Sequence, residues 1–193
     1  MITNEDIIAV TQNIFATMLE LETVTVETST VSKPWDPITG CIRISGEWTG
    51  AVVIQCSESL ARTIASRYLE IGLDSISESD LRDVFAELTN MIGGNIKGQV
   101  LAPSCLSLPT VTSGHDFEFH LAGSTVVRDL ALKCDGEVLR VTMCEAVRTQ
   151  LTPCDQHMWN LAGVDCVSIG IAKTVFGTAS NQLIPQKALK CKN

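Results

Sequence analysis

The stretch Leu81-Arg-Asp-Val-Phe-Ala-Glu-Leu-Thr-Asn-Met-Ile-Gly-Gly-Asn-Ile-Lys-Gly98 decides the fold of this chain. At about 100° per residue its pattern predicts one long helix with an apolar face that must pack on another layer. The apolar face consists of Leu81, Val84, Phe85, Leu88, Met91, Ile92 and Ile96. The opposite face carries polar or small residues at positions i, i+4, i+7 and i+11, which are Asp83, Glu87, Asn90 and Gly94.

This polar face has two interpretations. Polar residues opposite an apolar stripe form an ordinary solvated face in roughly nine cases out of ten. The functional interpretation is that a carboxylate and an amide one turn apart, beside Gly93-Gly94, form a shallow polar surface that another protein approaches closely. Such a surface suits holding a water molecule against an electrophile carried by the partner.

The detailed sequence of the helix favours the functional interpretation. Asp83-x-x-x-Glu87-x-x-Asn90, followed by Met-Ile-Gly-Gly-Asn, resembles the (Asp/Ser)-x-x-x-Glu-x-x-Asn signature of the chemotaxis phosphatases CheC, CheX and FliY. Three flanking segments are similar to the same family: the glycine-marked hairpin at 44–50, the helix that follows at 60–65, and the segment at 108–111. The resemblance covers about residues 3–148. It implies a CheX-like domain at 1–148 and a C-terminal extension of unknown structure at 149–193.

The resemblance also implies a reaction. Members of this family hydrolyse the phosphoaspartate of CheY-type response regulators, and the regulator supplies the phosphoryl group, a Mg²⁺ ion and a lysine. The phosphatase then needs no cofactor of its own and has only to place the hydrolytic water. Asn90 suits this role because a carboxamide accepts a hydrogen bond from water while donating one to a phosphoryl oxygen. Glu87 is the second catalytic residue and contacts the regulator's lysine, while Asp83 and Gly94 extend the partner-binding surface.

The number of motifs bears on assembly and on the alternative function. The chain has one Glu-x-x-Asn helix, because Glu58, Glu70 and Glu145 lack Asn three residues later. CheC and many FliY relatives carry two such helices, so the resemblance is to CheX and implies a homodimer. The alternative is a non-catalytic CheC-like module that binds a receiver domain or a flagellar switch component.

Charge and hydropathy exclude other classes of partner. Residues 1–150 carry 10 Lys and Arg against 20 Asp and Glu, a net charge of −10, whereas residues 151–193 carry 4 against 2. An acidic body without a Lys/Arg cluster argues against nucleic acid and anionic membrane as partners. No uncharged run reaches the ~20 residues needed to span a bilayer, and the N-terminus lacks a secretory pattern. We therefore expect a cytoplasmic protein.

The remaining pattern predicts an α+β fold, a largely antiparallel sheet with helices packed on it. Helices are expected from Thr3 or Asn4 to about Glu22, from Ser57 to about Ile71, and from Ser77 or Ser79 through the motif. Strands are expected near 40–46, 50–56, 106–112 and 117–122. The clearest hairpin joins 124–133 to 137–147 across Asp135-Gly136. In that hairpin Cys134 should face Glu137, and Cys144 should face Val127.

Two features have no functional interpretation in the sequence. The eight cysteines show no Cys-x-x-Cys and no zinc spacing, so we expect free, mostly buried thiols and no metal site. In the C-terminal extension Gly163, Gly170 and Gly177 recur among apolar residues, and the end is basic. This predicts a poorly packed or disordered extension, with a partner-docking helix as the less favoured alternative.

Overall fold

The structure, a computed structural model, describes residues 2–31, 37–99, 103–114 and 123–147, and the backbone of 117–118 and 172–173. The α-helices in these residues are α1 (Asn4–Met18), α2 (Glu58–Leu69) and α3 (Glu78–Gln99). The strands are β1 (Thr23–Val26), β2 (Pro37–Gly46), β3 (Gly50–Ser57), β4 (Ser104–Leu106), β5 (Thr110–Ser113), β6 (Phe117–Glu118), β7 (Ser124–Cys134), β8 (Glu137–Ala146) and β9 (Ala172–Lys173). The predicted α+β class is confirmed. In this part of the chain, no helix has the length and apolar character needed to cross a membrane.

Short polar side chains begin the helices. Thr3 caps α1 by a capping box, because its Oγ1 accepts from Asp6 N at 3.2 Å while its own N donates to Asp6 Oδ2 at 2.8 Å. Ser57 Oγ accepts from Leu60 N at 3.1 Å at the start of α2. Ser57 is confirmed as a cap, and of the two candidates at the start of α1, Thr3 and Asn4, Thr3 is the one used. The predicted end of α1 is four residues too late, since the chain leaves the helix at Leu19 and Glu20 has φ of +52°.

Seven strands form one antiparallel sheet in the order β1-β7-β8-β3-β2-β4, and β5 also pairs with β2. The β7–β8 hairpin places Cys134 opposite Glu137, as predicted. The prediction that Cys144 faces Val127 is wrong, because its partner is Val126. An irregularity between Val126 and Arg128 inserts one extra residue into β7, and such a bulge shifts the register beyond it by one position.

All three helices pack on the same face of the sheet. Side chains from this face, such as Ile42, Ile54 and Val141, share one buried cluster with Phe15 of α1 and Phe85 of α3. Each of these five side chains is at most 1% exposed. The core therefore lies between the sheet and the helix layer, and α3 is fixed against the central strands.

The C-terminal extension falls almost wholly outside the described residues. The prediction of a poorly packed segment at 149–193 is therefore untested. The exception is the backbone of β9, where Phe117 pairs with Lys173 and Glu118 pairs with Ala172 in an antiparallel ladder.

Candidate functional site

The motif helix α3 presents its polar face to solvent, as its periodicity predicts. Asp83, Glu87 and Asn90 are exposed, and Gly94 is partly exposed. The predicted apolar face is buried at Leu81, Val84, Phe85, Leu88, Ile92 and Ile96, whose exposed fractions are 4% or less, while Met91 is partly buried. A long helix of 22 residues thus carries the site on a rigid support.

Glu87 and Asn90 form the centre of this surface. Residues three apart on a helix have Cβ atoms about 5–6 Å apart, so the carboxylate and the carboxamide project side by side. Neither side chain makes a hydrogen bond or an ion pair with any described residue. Both are therefore available to an approaching partner, and Asp83 lies one turn before Glu87 on the same face.

Close packing on β2 sets the position of α3. A Cβ atom built on Gly93 would lie 2.3 Å from Ile42 Cγ2, and one built on Gly40 would lie 2.0 Å from Thr89 Oγ1. Both distances are shorter than a real Cβ contact, so glycine is required on both sides of this interface. Thr89 is fully buried and donates from Oγ1 to Phe85 O at 2.7 Å, which satisfies its hydroxyl within the helix.

This packing corrects the interpretation of the glycine pair. Gly93 is buried against the sheet and is not part of a shallow polar surface. Gly94 alone lies toward the surface, where an added Cβ would be 3.9 Å from Leu106 Cδ1. Periodicity places Gly94, but not Gly93, on the polar face, whereas the close contact of Gly93 depends on which strand residues lie beneath the helix.

The N-terminal end of α3 is held by polar contacts. Of the two candidate caps Ser77 is the one used, since its Oγ accepts from Asp80 N at 3.1 Å and its N donates to Asp80 Oδ2 at 3.0 Å. These hydrogen bonds from Ser77, first through the side chain and then through the backbone, lower the pKa of Asp80 from its usual 3.8. The whole box therefore favours an ionised carboxylate in the first turn, where the helix dipole also favours it.

A second contact joins α3 to α2. Arg62 donates to Glu58 Oε1 at 2.8 Å, to Ile76 O at 3.1 Å and to Glu78 Oε1. The hydrogen bond to Glu58 is the largest cause of the raised pKa of Arg62. Sequence reasoning missed this positioning residue, although the i, i+4 spacing of Glu58 and Arg62 was a usable signal.

Asn95 is the other amide on this helix. At about 100° per residue, the sequence predicts Asn95 on the apolar side of the helix, bonded within the fold. It does donate from Nδ2 to Met91 O at 2.9 Å, but its side chain is exposed. The exposed position makes Asn95 a natural comparison for Asn90, since both are asparagines of one helix that differ in their partners.

The described cysteines are free thiols, as predicted. Cys41, Cys56, Cys134 and Cys144 are buried and Cys105 is exposed, while Cys154, Cys166 and Cys191 lie outside the described residues. Burial raises the pKa of Cys41 to about 11. Within the described ranges, no group of three or more His, Cys, Asp or Glu residues is placed to hold a metal ion.

Comparisons with known proteins agree with this geometry. A family profile described as "Chemotaxis phosphatase CheX" matches residues 38–128, which include all of α3. The crystal structure of the chemotaxis protein CheX from Vibrio vulnificus superposes with a TM-score of 0.62, over 74% of this chain and 95% of that one, at 19% identity. Over residues 38–128, and in its fold, the chain is similar to CheX chemotaxis proteins.

Two further structures share the fold of this CheX-like chain. A CheX from Desulfovibrio desulfuricans gives a TM-score of 0.60 at 20% identity, over 73% of this chain and 97% of that one. The CheX–CheY–BeF3–Mg²⁺ complex from Borrelia burgdorferi gives 0.53 at 16% identity, over 74% of this chain and 96% of that one. No curated protein sequence matches the chain at a significant level.

Proposed function

We propose that the CheX-like chain is a protein-aspartyl-phosphate phosphatase that dephosphorylates the receiver domain of a CheY-type response regulator. The single observation that carries the proposal is the pair Glu87 and Asn90, exposed side by side on a helix that is packed rigidly against the sheet. The pair lies within the region that matches the CheX profile.

Asn90 is proposed to position the hydrolytic water. Its carboxamide oxygen accepts from the water and its amide donates to a phosphoryl oxygen, so that one side chain aligns nucleophile and electrophile. The reaction breaks the bond between phosphorus and the aspartyl oxygen, and the water oxygen forms the new bond to phosphorus. The products are inorganic phosphate and the free carboxylate of the receiver.

Glu87 is proposed to contact the receiver beside the reacting group. An exposed carboxylate is a weak general base at neutral pH. It is well suited to a lysine ammonium of the receiver, and Asp83 and Gly94 then extend the contact along the same face. Such a contact stabilises the ground state and the transition state of the bound receiver equally.

The proposal assigns the metal to the partner. The chain is proposed to need no cofactor of its own, and Mg²⁺ is expected in the acidic pocket of the receiver, where it neutralises phosphoryl charge. The Borrelia burgdorferi relative was crystallised with CheY, BeF3 and Mg²⁺, which supports a receiver partner for this chain.

A homodimer remains part of the proposal. Two-fold pairing would most simply join sheet edges, where backbone N–H and C=O groups of the edge strand otherwise lack a partner strand. At the β1 edge one such group already has a partner, since Gln12 Nε2 donates to Thr23 O at 2.9 Å. Light scattering of the full chain measures the oligomeric state directly. A monomeric chain would contradict the proposed homodimer.

The test is a panel of purified receiver domains from the same organism, each phosphorylated with a small-molecule donor. Phosphate loss is followed with and without the CheX-like chain, in Mg²⁺ and after chelation. We expect faster loss from at least one receiver, and only while Mg²⁺ is present. Binding to a receiver without any acceleration would instead support the non-catalytic CheC-like module.

A further inference from the structure

Part of the second face of the sheet, opposite the helices, is also buried. We call it the outer face, and it consists of Thr39, Cys41, Ala51, Val53, Ala131 and Cys144. None of these residues is more than 7% exposed. Three of them, Cys41, Ala51 and Val53, form an apolar cluster separate from the main core. No described α-helix packs on this face.

The buried part of the outer face is four strands wide. Its residues lie on β2, β3, β8 and β7, four adjacent strands that together are about 14 Å wide at ~4.8 Å per strand. Ala51 is 0% exposed although its small side chain lies in the middle of this area. The burial of so small a side chain across this width indicates a second layer of chain over the outer face.

The positions of the ends of β5 and β7 bear on what could form this layer. β5 ends at Ser113, beside Ile38, whereas β7 begins at Ser124, beside Ala146 at the other end of the sheet and four strand positions away. The straight path is about 28 Å, which eleven peptide steps of ~3.4 Å can span. Since the helix layer occupies one face, the shorter route for a connection of this length would be across the outer face.

One crossing strand is too narrow to cover the whole area, being about 5 Å wide against about 14 Å. The pairing of β6 with β9 brings the chain after Val147 to the same layer. The composition of that segment fits an apolar contact, because Asp165 is the single charged residue among residues 156–171. Residues 151–193 also carry a net charge of +2, which complements the acidic body.

We propose that the C-terminal segment, residues 148–193, docks on the outer face beside the β5–β7 crossing and covers Cys41, Val53 and Cys144. The segment begins at the right place, because β8 is a central strand and ends at Ala146. The structure of the Vibrio vulnificus protein matches 74% of this chain, although the match covers 95% of that protein. The outer face is then unavailable to a second copy of this chain, and any dimer must use other surfaces.

The native cysteines provide the test. The full chain and a chain ending at Arg148 are treated with iodoacetamide at a concentration where light scattering shows the truncated chain to be monomeric, and alkylation is measured for each cysteine by mass spectrometry. Cys105 is the exposed control, while Cys56 and Cys134 in the helix-side core report whether the domain is folded.

We expect Cys41 and Cys144 to be protected in the full chain and to react at least tenfold faster in the truncated one, with Cys56 and Cys134 protected in both. Equal protection of Cys41 and Cys144 in the truncated monomer would overturn the proposal. Protection in the full chain that disappears on dilution to monomer would overturn it too, because the occupant would then be a second copy.

A second measurement does not depend on the truncated chain folding by itself. A protease site is inserted after Arg148, and the full chain is cut after it has folded. We expect the C-terminal peptide to co-elute with the domain in gel filtration. A peptide that separates while Cys41 and Cys144 stay protected would show that this segment does not cover them.

Discussion

Alanine substitutions at Gly93 and Gly94 should change stability in opposite directions. Both glycines lie in the interior of α3, where Gly→Ala gains about 1 kcal/mol of helix propensity. At Gly94 this gain should appear almost in full, because the new Cβ would be 3.9 Å from its nearest neighbour. At Gly93 the new Cβ would lie 2.3 Å from Ile42 Cγ2, and such overpacking costs about 1–3 kcal/mol.

The propensity gain cancels when the two variants are compared, so their difference isolates the cost of the contact with β2. We expect Gly94→Ala to exceed Gly93→Ala by about 2 kcal/mol in free energy of unfolding. This corresponds to a difference of about 4–8 °C in Tm for a chain of this size. Urea unfolding followed by circular dichroism measures it, with equal m-values as the control. Equal stabilisation by both substitutions would refute the close packing of α3 on β2.

Three other predictions concern the ends and the surface of the motif helix. Ser77→Ala should lower the free energy of unfolding by about 1 kcal/mol, whereas the neighbouring Ser79→Ala should change it little, as denaturant titration would show. Ionised Asp80 adds to the free energy of unfolding above its unfolded-state pKa of 3.8, and this contribution is lost as the pH falls through its lowered folded-state pKa. Asp80→Asn should therefore make the free energy of unfolding fall less steeply when it is measured below about pH 4. Glu87→Ala should weaken receiver affinity and kcat/KM by similar factors, because a docking contact stabilises the bound ground state and the transition state equally. Calorimetry measures the affinity and steady-state kinetics the rate; a loss of rate without a loss of affinity would show a purely catalytic role.

Features that depend on nearby residues were predictable from the sequence. Thr3 and Ser57 were identified as caps because a capping hydrogen bond closes within three residues. The exposed face of α3 followed from its 3.6-residue period. These predictions needed no knowledge of what the helices pack against.

Features that depend on distant residues were not predictable. Gly93 and Thr89 contact Ile42 and Gly40, more than 40 positions earlier, so their burial follows from the position of α3 on β2. The shifted partner of Cys144 has the same kind of cause, since nothing local to the turn indicates the extra residue in β7. The roles of Glu87 and Asn90 came from the resemblance to a family, because their exposure alone fits any solvated helix face.

The most direct test of the central claim compares Asn90→Ala with Asn95→Ala in dephosphorylation of a cognate receiver. Both variants remove an exposed amide from α3, but Asn95 already bonds to Met91 and is assigned no role with the partner. We expect Asn90→Ala to reduce the stimulated rate by about 10²–10³-fold while receiver affinity changes little, the loss typical of one transition-state group. Asn95→Ala should keep the wild-type rate. An Asn90→Ala variant as active as the wild type would contradict the assignment of this chain as a phosphatase that acts through Asn90.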